Sequence, residues 1–139
     1  MKKLLILLAI SLCSLTLKSH ALCGGTSTPS TNPTSVGIVM YSNDVETLWN
    51  ALRFANYAKS QGDTVSIFLL GKGVELDNLV KTNPDLQEQT TTFLNSGATI
   101  LGCGTCLQSR KNDAPQVCKF SSMDALYALI RKNKIVLTF

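Results

Sequence analysis

Short apolar runs alternate with helix-patterned segments from Val36 to the end of the chain. Runs of this length and composition are typical of strands that are buried on both faces of a sheet. We expect strands over residues 36–41, 64–70, 98–101 and 134–139. Because strand and helix alternate, the sequence predicts an α/β domain with a mainly parallel sheet and helices on both faces.

The predicted helices begin and end at residues that commonly cap helices. The first runs over 44–60, with Asn43 as its cap, and Asn83 followed by Pro84 begins the second. The last helix begins after Ser121, whereas residues 112–120 are expected to be irregular. Parallel sheets bind ligands beyond the carboxyl ends of their strands, at a topological switch point, so we expect the site at that edge.

The first 21 residues have the three parts of a secretory signal peptide. They combine two early lysines, an apolar run over 4–17 and small residues at Ser19 and Ala21. That run is shorter than the roughly 20 residues of a membrane-spanning helix, so no stable membrane span is expected. We predict cleavage after Ala21 and a periplasmic or secreted protein, with an uncleaved anchor as the alternative. Residues 22–35 form a flexible lead-in to a domain over 36–139.

Removal of the signal leaves a nearly neutral domain without histidine. Loss of its three lysines lowers the formal net charge from +4 to +1, which gives no electrostatic case for binding nucleic acid. His20 is the single histidine of the sequence and would leave with the signal. The mature domain then has no Cys–His or Ser–His–Asp nucleophile system and no His-containing metal site.

Cys103 and Cys106 are the strongest candidates for catalytic residues. They lie where strand 98–101 is expected to pass into a helical segment, with Gly102 and Gly104 on either side of Cys103. Cysteine reacts as the thiolate, and free N–H groups at a helix start are expected to lower the pKa of Cys103. A less basic thiolate is also a better leaving group, which suits a residue that accepts sulfur and releases it. The two glycines are expected to leave room for a bulky sulfur donor.

The segment from Leu101 to Arg110, LGCGTCLQSR, resembles the cysteine loop of the DsrE/DsrF-like family of sulfur-relay proteins. Residues 121–139 resemble the C-terminal end of that family, and the likeness covers about 36–139. It implies a flavodoxin-like three-layer sandwich, homo-oligomers such as trimers or hexamers, and a cysteine that carries sulfur as a persulfide. The resemblance gives that role to Cys103 and leaves the role of Cys106 open. Familiar members are cytoplasmic, whereas this chain has an export signal.

We therefore expect an exported protein that handles sulfane sulfur, or exchanges thiols and disulfides, at Cys103 with Cys106 as resolving thiol. Its partner would be a sulfur donor or acceptor protein. The sequence is compatible with a sulfur carrier and with a transferase-like activity. The alternative is a binding module whose cysteines form a structural disulfide or hold zinc or copper. Cys118 is then a resolving partner, a ligand or a buried small residue, and with Cys23 it leaves three full disulfide pairings open.

The remaining polar residues give weaker evidence of a functional role. Charged side chains near the strand ends are expected to be caps or solvated charges rather than proton shuttles or anion sites; these are Asp44, Glu75, Asp77, Arg110 and Lys111. Residues 71–73 lack the length and the Ser/Thr of a phosphate-binding loop, and residues 42–44 do not resemble a flavin phosphate loop. No cofactor is therefore expected.

Overall fold

A computed structural model describes residues 32–139, so the expected signal peptide and most of the expected lead-in lie outside the described residues. The strands are β1 (Ser35–Met40), β2 (Thr64–Leu69), β3 (Ile100–Cys103), β4 (Lys119–Ser121) and β5 (Ile135–Thr138). The helices are α1 (Val45–Ser60), α2 (Leu76–Leu79), α3 (Pro84–Asn95), α4 (Gly104–Gln108) and α5 (Met123–Lys132), and a 3-10 helix spans Gly71–Glu75.

All strand pairs are parallel, and the strand order is β4-β3-β2-β1-β5. The predicted α/β class with a parallel sheet is confirmed. The prediction missed β4, because this strand has only three residues and overlaps the segment 112–120 expected to be irregular. The third strand begins and ends two residues later than expected, so Cys103 is its last residue.

Helices cover both faces of the sheet. The chain moves from β1 to β4 in one direction across the sheet and then returns to the other side of β1. Because crossovers between parallel strands are right-handed, α1 and α3 lie on one face and α5 lies on the other. On the first face α1 packs against α3, and on the second α5 packs against β1 and β2. Ile38, Ile67 and Ile100 are in register on neighbouring strands and are fully buried in the core.

The helix starts differ in detail from the sequence prediction. Asp44, rather than Asn43, is the N-cap of α1, and its Oδ1 accepts a hydrogen bond from the backbone N–H of Thr47 at 2.8 Å. Pro84 is the first residue of α3 as predicted, although the side chain of Asn83 donates to Leu79 O instead of capping the helix. Such shifts of one residue leave the arrangement of the elements unchanged.

The carboxyl ends of β1, β2 and β3 bring the predicted site segments to one edge of the sheet. Asp44 follows β1, Gly71 follows β2, and Cys103 ends β3. The strand order reverses between β1 and β5, however, and β2 separates β3 from β1. The thiol pair is therefore at the expected edge but not at the topological switch point, which corrects that part of the prediction. Within residues 32–139, no helix combines the length and the apolar composition needed to cross a membrane.

Candidate active site: the Cys103–Cys106 pair

Cys103 and Cys106 lie at the junction of β3 and α4. Cys103 is the N-cap of α4, and its Sγ accepts a hydrogen bond from the backbone N–H of Cys106 at 3.4 Å. Cys103, Cys106 and Cys118 are free thiols. The predicted passage from strand to helix at the first thiol is confirmed, and the two sulfur-bearing residues lie side by side at the carboxyl edge of the sheet.

The environment of Cys103 contradicts the expected pKa shift. Only 5% of its surface is exposed. This burial raises the pKa of Cys103, as does its hydrogen bond with the Cys106 thiol, whereas the N–H groups of Cys106 and Thr105 act in the opposite direction. The expected lowering of the pKa is wrong, because removal of the thiolate from water outweighs the two N–H donors at the helix start.

The space beside Cys103 is filled rather than open. A Cβ atom at Gly102 would lie 2.8 Å from Cys118 Sγ and 3.2 Å from Leu107 Cδ1. A Cβ atom at Gly104 would lie 3.2 Å from the carbonyl oxygen of Ser121. The expectation that these glycines leave room for a bulky donor is therefore wrong, since they allow neighbouring segments to pack closely against the cysteine loop.

Cys106 has a different environment, because it is only half-buried. Its Sγ accepts a hydrogen bond from the backbone N–H of Gly71 at 3.3 Å. Gly71 has a φ of 55°, in the left-handed region that glycine adopts readily, and it begins the 3-10 helix after β2. A backbone donor from a neighbouring strand end thus reaches the more accessible sulfur of the pair.

A polar network holds α4 against the 3-10 helix. Arg110 donates from Nε to Glu75 Oε1 at 3.0 Å and from Nη1 to the carbonyl oxygen of Cys106 at 3.1 Å. Asn43 Nδ2 donates to the other oxygen of Glu75 at 3.0 Å. The hydrogen bond from Asn43, followed by that from Arg110, holds the pKa of Glu75 below its ordinary value. The sequence analysis missed this network because its members are 32 and 35 positions apart and match no motif.

Cys118 lies on the other face of β3 from Cys103. Its Sγ occupies the space into which a side chain at Gly102 would point, and alternate residues of a strand face opposite ways. Burial, together with the nearby charge of Asp77, raises the pKa of Cys118 to about 11. Of the interpretations left open for Cys118, this geometry favours a buried small residue over a resolving partner for Cys103.

Asp77 is a buried acceptor that fixes the segment before β4. Its Oδ1 accepts from the backbone N–H groups of Gln116 at 2.6 Å and Val117 at 2.9 Å, and its Oδ2 accepts from Asn112 Nδ2 at 3.0 Å. Asp44 caps α1. Asp44 is thus a cap as expected, whereas the expectation of a solvated charge is wrong for Asp77, which is 1% exposed.

No cluster of three or more Cys, His, Asp or Glu side chains suited to a metal ion occurs in the part of the chain that the structure describes. A cavity of about 600 Å³ lies between the starts of α1 and α3 and is lined in part by Asp44, Trp49 and Asp85. No cysteine contributes to its lining. The thiol pair therefore lies outside this cavity.

Comparisons with known proteins agree with this fold. Residues 35–139 match the model of the DsrE/DsrF-like family. The chain is 31% identical over 100 residues to the uncharacterized protein MJ0989 of Methanocaldococcus jannaschii, a match that covers 68% of this chain and 88% of that protein. The ychN protein from E. coli has a similar structure, with a TM-score of 0.66 and 19% identity over 78% of this chain and 100% of that chain.

A conserved protein of unknown function, BT1422 from Bacteroides thetaiotaomicron, also has this fold. Its TM-score is 0.63 at 20% identity, covering 76% of this chain and 95% of that chain. At these identities the two structures support the fold alone, whereas the family match spans the whole described sheet and both thiols of the pair. The chain therefore belongs to the DsrE/DsrF-like family.

Proposed function

We propose that this protein is an exported sulfur handler that carries sulfane sulfur as a persulfide, or exchanges thiols and disulfides, at the Cys103–Cys106 pair. Sulfur relay is the general role of the family to which the chain belongs. The observation that carries the proposal is the pair of free thiols at the end of β3, with a backbone N–H donated to each sulfur. A donor or acceptor protein is the expected partner.

The chemistry needs only a thiolate and a donor. The thiolate attacks the outer sulfur of a persulfide R–S–SH and forms a new S–S bond to it. The S–S bond of the donor breaks, and R–S⁻ leaves with the electron pair. The protein then carries Cys–S–SH. Because one S–S bond replaces another, no external oxidant or reductant takes part. Transfer to an acceptor thiolate repeats the same exchange with the protein as the leaving group.

Intact-mass measurement after incubation with glutathione persulfide tests this proposal. The wild-type protein is expected to gain about 32 Da, one sulfur atom, in a form that a reducing agent removes. The double variant Cys103→Ser/Cys106→Ser should gain nothing, whereas Cys118→Ser, which changes a buried thiol outside the pair, should load like the wild type. Absence of the gain in the wild type, or an equal gain in the double variant, would reject the proposal.

The N-terminal sequence supports export. Its charged start, short apolar run and small residues at Ser19 and Ala21 are those of a cleavable signal, but residues 1–31 lie outside the described residues. We propose cleavage after Ala21 and a periplasmic or secreted mature protein. Expression of the full chain in a Gram-negative host, followed by fractionation and N-terminal sequencing, should place a protein that begins at Leu22 in the periplasm. A protein that keeps Met1 and stays in the cytoplasm would contradict export.

Exposed apolar side chains support a homo-oligomer, such as a trimer or hexamer. Members of the family often form oligomers. In this chain α5 and β5 together expose five large apolar side chains: Met123, Tyr127, Ile130, Ile135 and Val136. Exposed large apolar side chains in such number on a small domain are typical of a protein–protein interface.

A further inference from the structure

The two thiols of the pair differ in access to solvent. Cys103 is 5% exposed and has packed neighbours around the glycines on either side of it. Cys106 is half-buried, one turn further along α4. Because a thiolate must meet its donor in line with the S–S bond that breaks, the more exposed sulfur has the better approach.

We infer that Cys106, rather than Cys103, is the thiol that meets the external sulfur compound and first carries its sulfur, with Cys103 as a positioning residue behind it. This inference rests on the proposed function and divides that function between the two thiols. It reverses the roles that the resemblance suggests from sequence, in which Cys103 carries sulfur and Cys106 resolves.

Backbone and charged groups at Cys106 suit a negatively charged sulfur. The N–H of Gly71 points at Cys106 Sγ from 3.3 Å, so a thiolate or a persulfide anion there has a fixed donor. Arg110 binds the carbonyl oxygen of Cys106, and both Arg110 and the exposed Lys72 act electrostatically on Glu75. Because Glu75 balances the charge of Arg110, the backbone N–H of Gly71 is the group that favours an anionic sulfur at Cys106.

Cys103 has the surroundings of a neutral thiol. Burial raises the pKa of Cys103, and its thiol is hydrogen-bonded to that of Cys106. A buried thiol that ionises less readily is a poor nucleophile, which disfavours its attack on a neighbouring Cys106–S–SH group and the loss of the carried sulfur as HS⁻. As an S–H donor beside Cys106, it also stabilises the anionic sulfur. A persulfide on Cys106 therefore persists long enough to be handed on.

Atoms and electrons balance when Cys106 takes up sulfur from the donor. The Cys106 thiolate attacks the outer sulfur of R–S–SH, the bond between the two donor sulfurs breaks, and R–S⁻ leaves. The proton on the outer sulfur stays with it in Cys106–S–SH. Cys103 forms and breaks no covalent bond, so neither cysteine is oxidised to a disulfide during loading.

Loading rates of single variants test the assignment with glutathione persulfide as the probe. Because Cys103 is shielded from solvent, Cys106→Ser should slow the gain of sulfur by about tenfold or more, whereas Cys103→Ser should stay within about threefold of the wild type. Serine keeps a hydroxyl that can donate to Cys106 and accept from its N–H. Cys103→Val, which lacks that group, should load more slowly than Cys103→Ser at comparable thermal stability.

The outcome that overturns the inference is a Cys103→Ser variant that loads no faster than Cys106→Ser, or a Cys106→Ser variant that loads like the wild type. Equal loading by Cys103→Ser and Cys103→Val would overturn the positioning role of Cys103. A wild type that gains no sulfur defeats the proposed function instead. In that case limited alkylation with iodoacetamide, followed by peptide mapping, still shows which thiol an external reagent reaches first. Labelling of Cys106 before Cys103 supports the order inferred here, and the reverse order contradicts it.

Discussion

The Nε atom of Arg110 lies 3.0 Å from Oε1 of Glu75, and this ion pair joins the end of α4 to the 3-10 helix after β2. Both side chains are about one-third exposed, at 29% and 33%. Solvent screening therefore limits the contribution of the pair to stability to about 1 kcal/mol or less. Its larger effect is geometric, because the same guanidinium also holds the carbonyl of Cys106.

The stability that Glu75 contributes to the folded protein should be lost in mild acid. The hydrogen bond from Asn43 and then that from Arg110 hold its pKa below the ordinary value of 4.5, so the folded protein keeps a charge that the unfolded chain loses first. The stabilisation is present above that value and is lost as pH falls through the lower folded pKa. Urea unfolding should show wild type more stable than Glu75→Gln at pH 6, by about 1 kcal/mol or less, with the gap shrinking toward pH 3.

The exposed Glu88 on α3 supplies a control variant. Glu88→Gln removes a surface carboxylate outside this network and should change the free energy of unfolding at pH 6 by less than about 0.5 kcal/mol. A gap for Glu75→Gln that widens as pH falls would contradict the network.

Asp77 should be needed for the stability of the segment that leads into β4. Asp77→Asn keeps the shape of the side chain but replaces one acceptor oxygen by a donor, which then faces backbone N–H donors or the Asn112 amide. A buried polar group without a partner costs about 1–3 kcal/mol, so the free energy of unfolding should fall by that amount. Asp113→Asn, on the exposed part of the same loop, serves as control and should change it by less than about 0.5 kcal/mol. Equal stabilities of the two variants would contradict this role.

Gly73 should control the reactivity of Cys106 from a distance. A Cβ atom at Gly73 would collide with the backbone carbonyl of Met40, so Gly73→Ala must displace the 3-10 helix that carries the Gly71 donor. We expect a loss of about 1–3 kcal/mol in stability from the overpacking, together with slower alkylation of Cys106. Lys72→Ala, an exposed change in the same turn, should preserve stability. Unchanged alkylation in a folded Gly73→Ala variant would show that the Gly71 contact does not affect Cys106.

The apolar surface of α5 and β5 should form the contact between copies of the chain. Tyr127 is 66% exposed on this surface, so Tyr127→Lys adds a charge there without removing core packing. Light scattering after size exclusion should show the wild type as an oligomer and the variant as a smaller species at the same concentration. Lys134→Glu, an exposed change outside the five apolar residues, is the control and should keep the wild-type mass. A monomeric wild type would contradict the proposed assembly.

The α/β class and the edge that holds the thiols could be predicted from sequence, because both follow from local patterns. Apolar runs such as that around Ile38 indicate buried strands, and the position of Cys103 after such a run places it at a carboxyl end. Strand β4 could not be predicted in this way, since its Lys119 and Phe120 are exposed and it has no apolar run.

The environment of each thiol depends on distant segments and therefore escaped the sequence analysis. Cys103 is buried, and segments distant in sequence, around Phe120 and Cys118, pack against the two glycines that flank it. Cys106 receives its N–H donor from Gly71, which lies 35 positions earlier. A motif reports that two cysteines are close in the chain, but it does not report which of them water reaches.

Mass spectrometry of the protein isolated from its own compartment, alkylated at once to preserve its thiols, tests the central claim most directly. The account predicts a fraction of the peptide containing Cys103 and Cys106 that carries one additional sulfur, about 32 Da, which a reducing agent removes. A peptide that is always unmodified, or always closed as a Cys103–Cys106 disulfide, would contradict the claim that this pair handles sulfane sulfur.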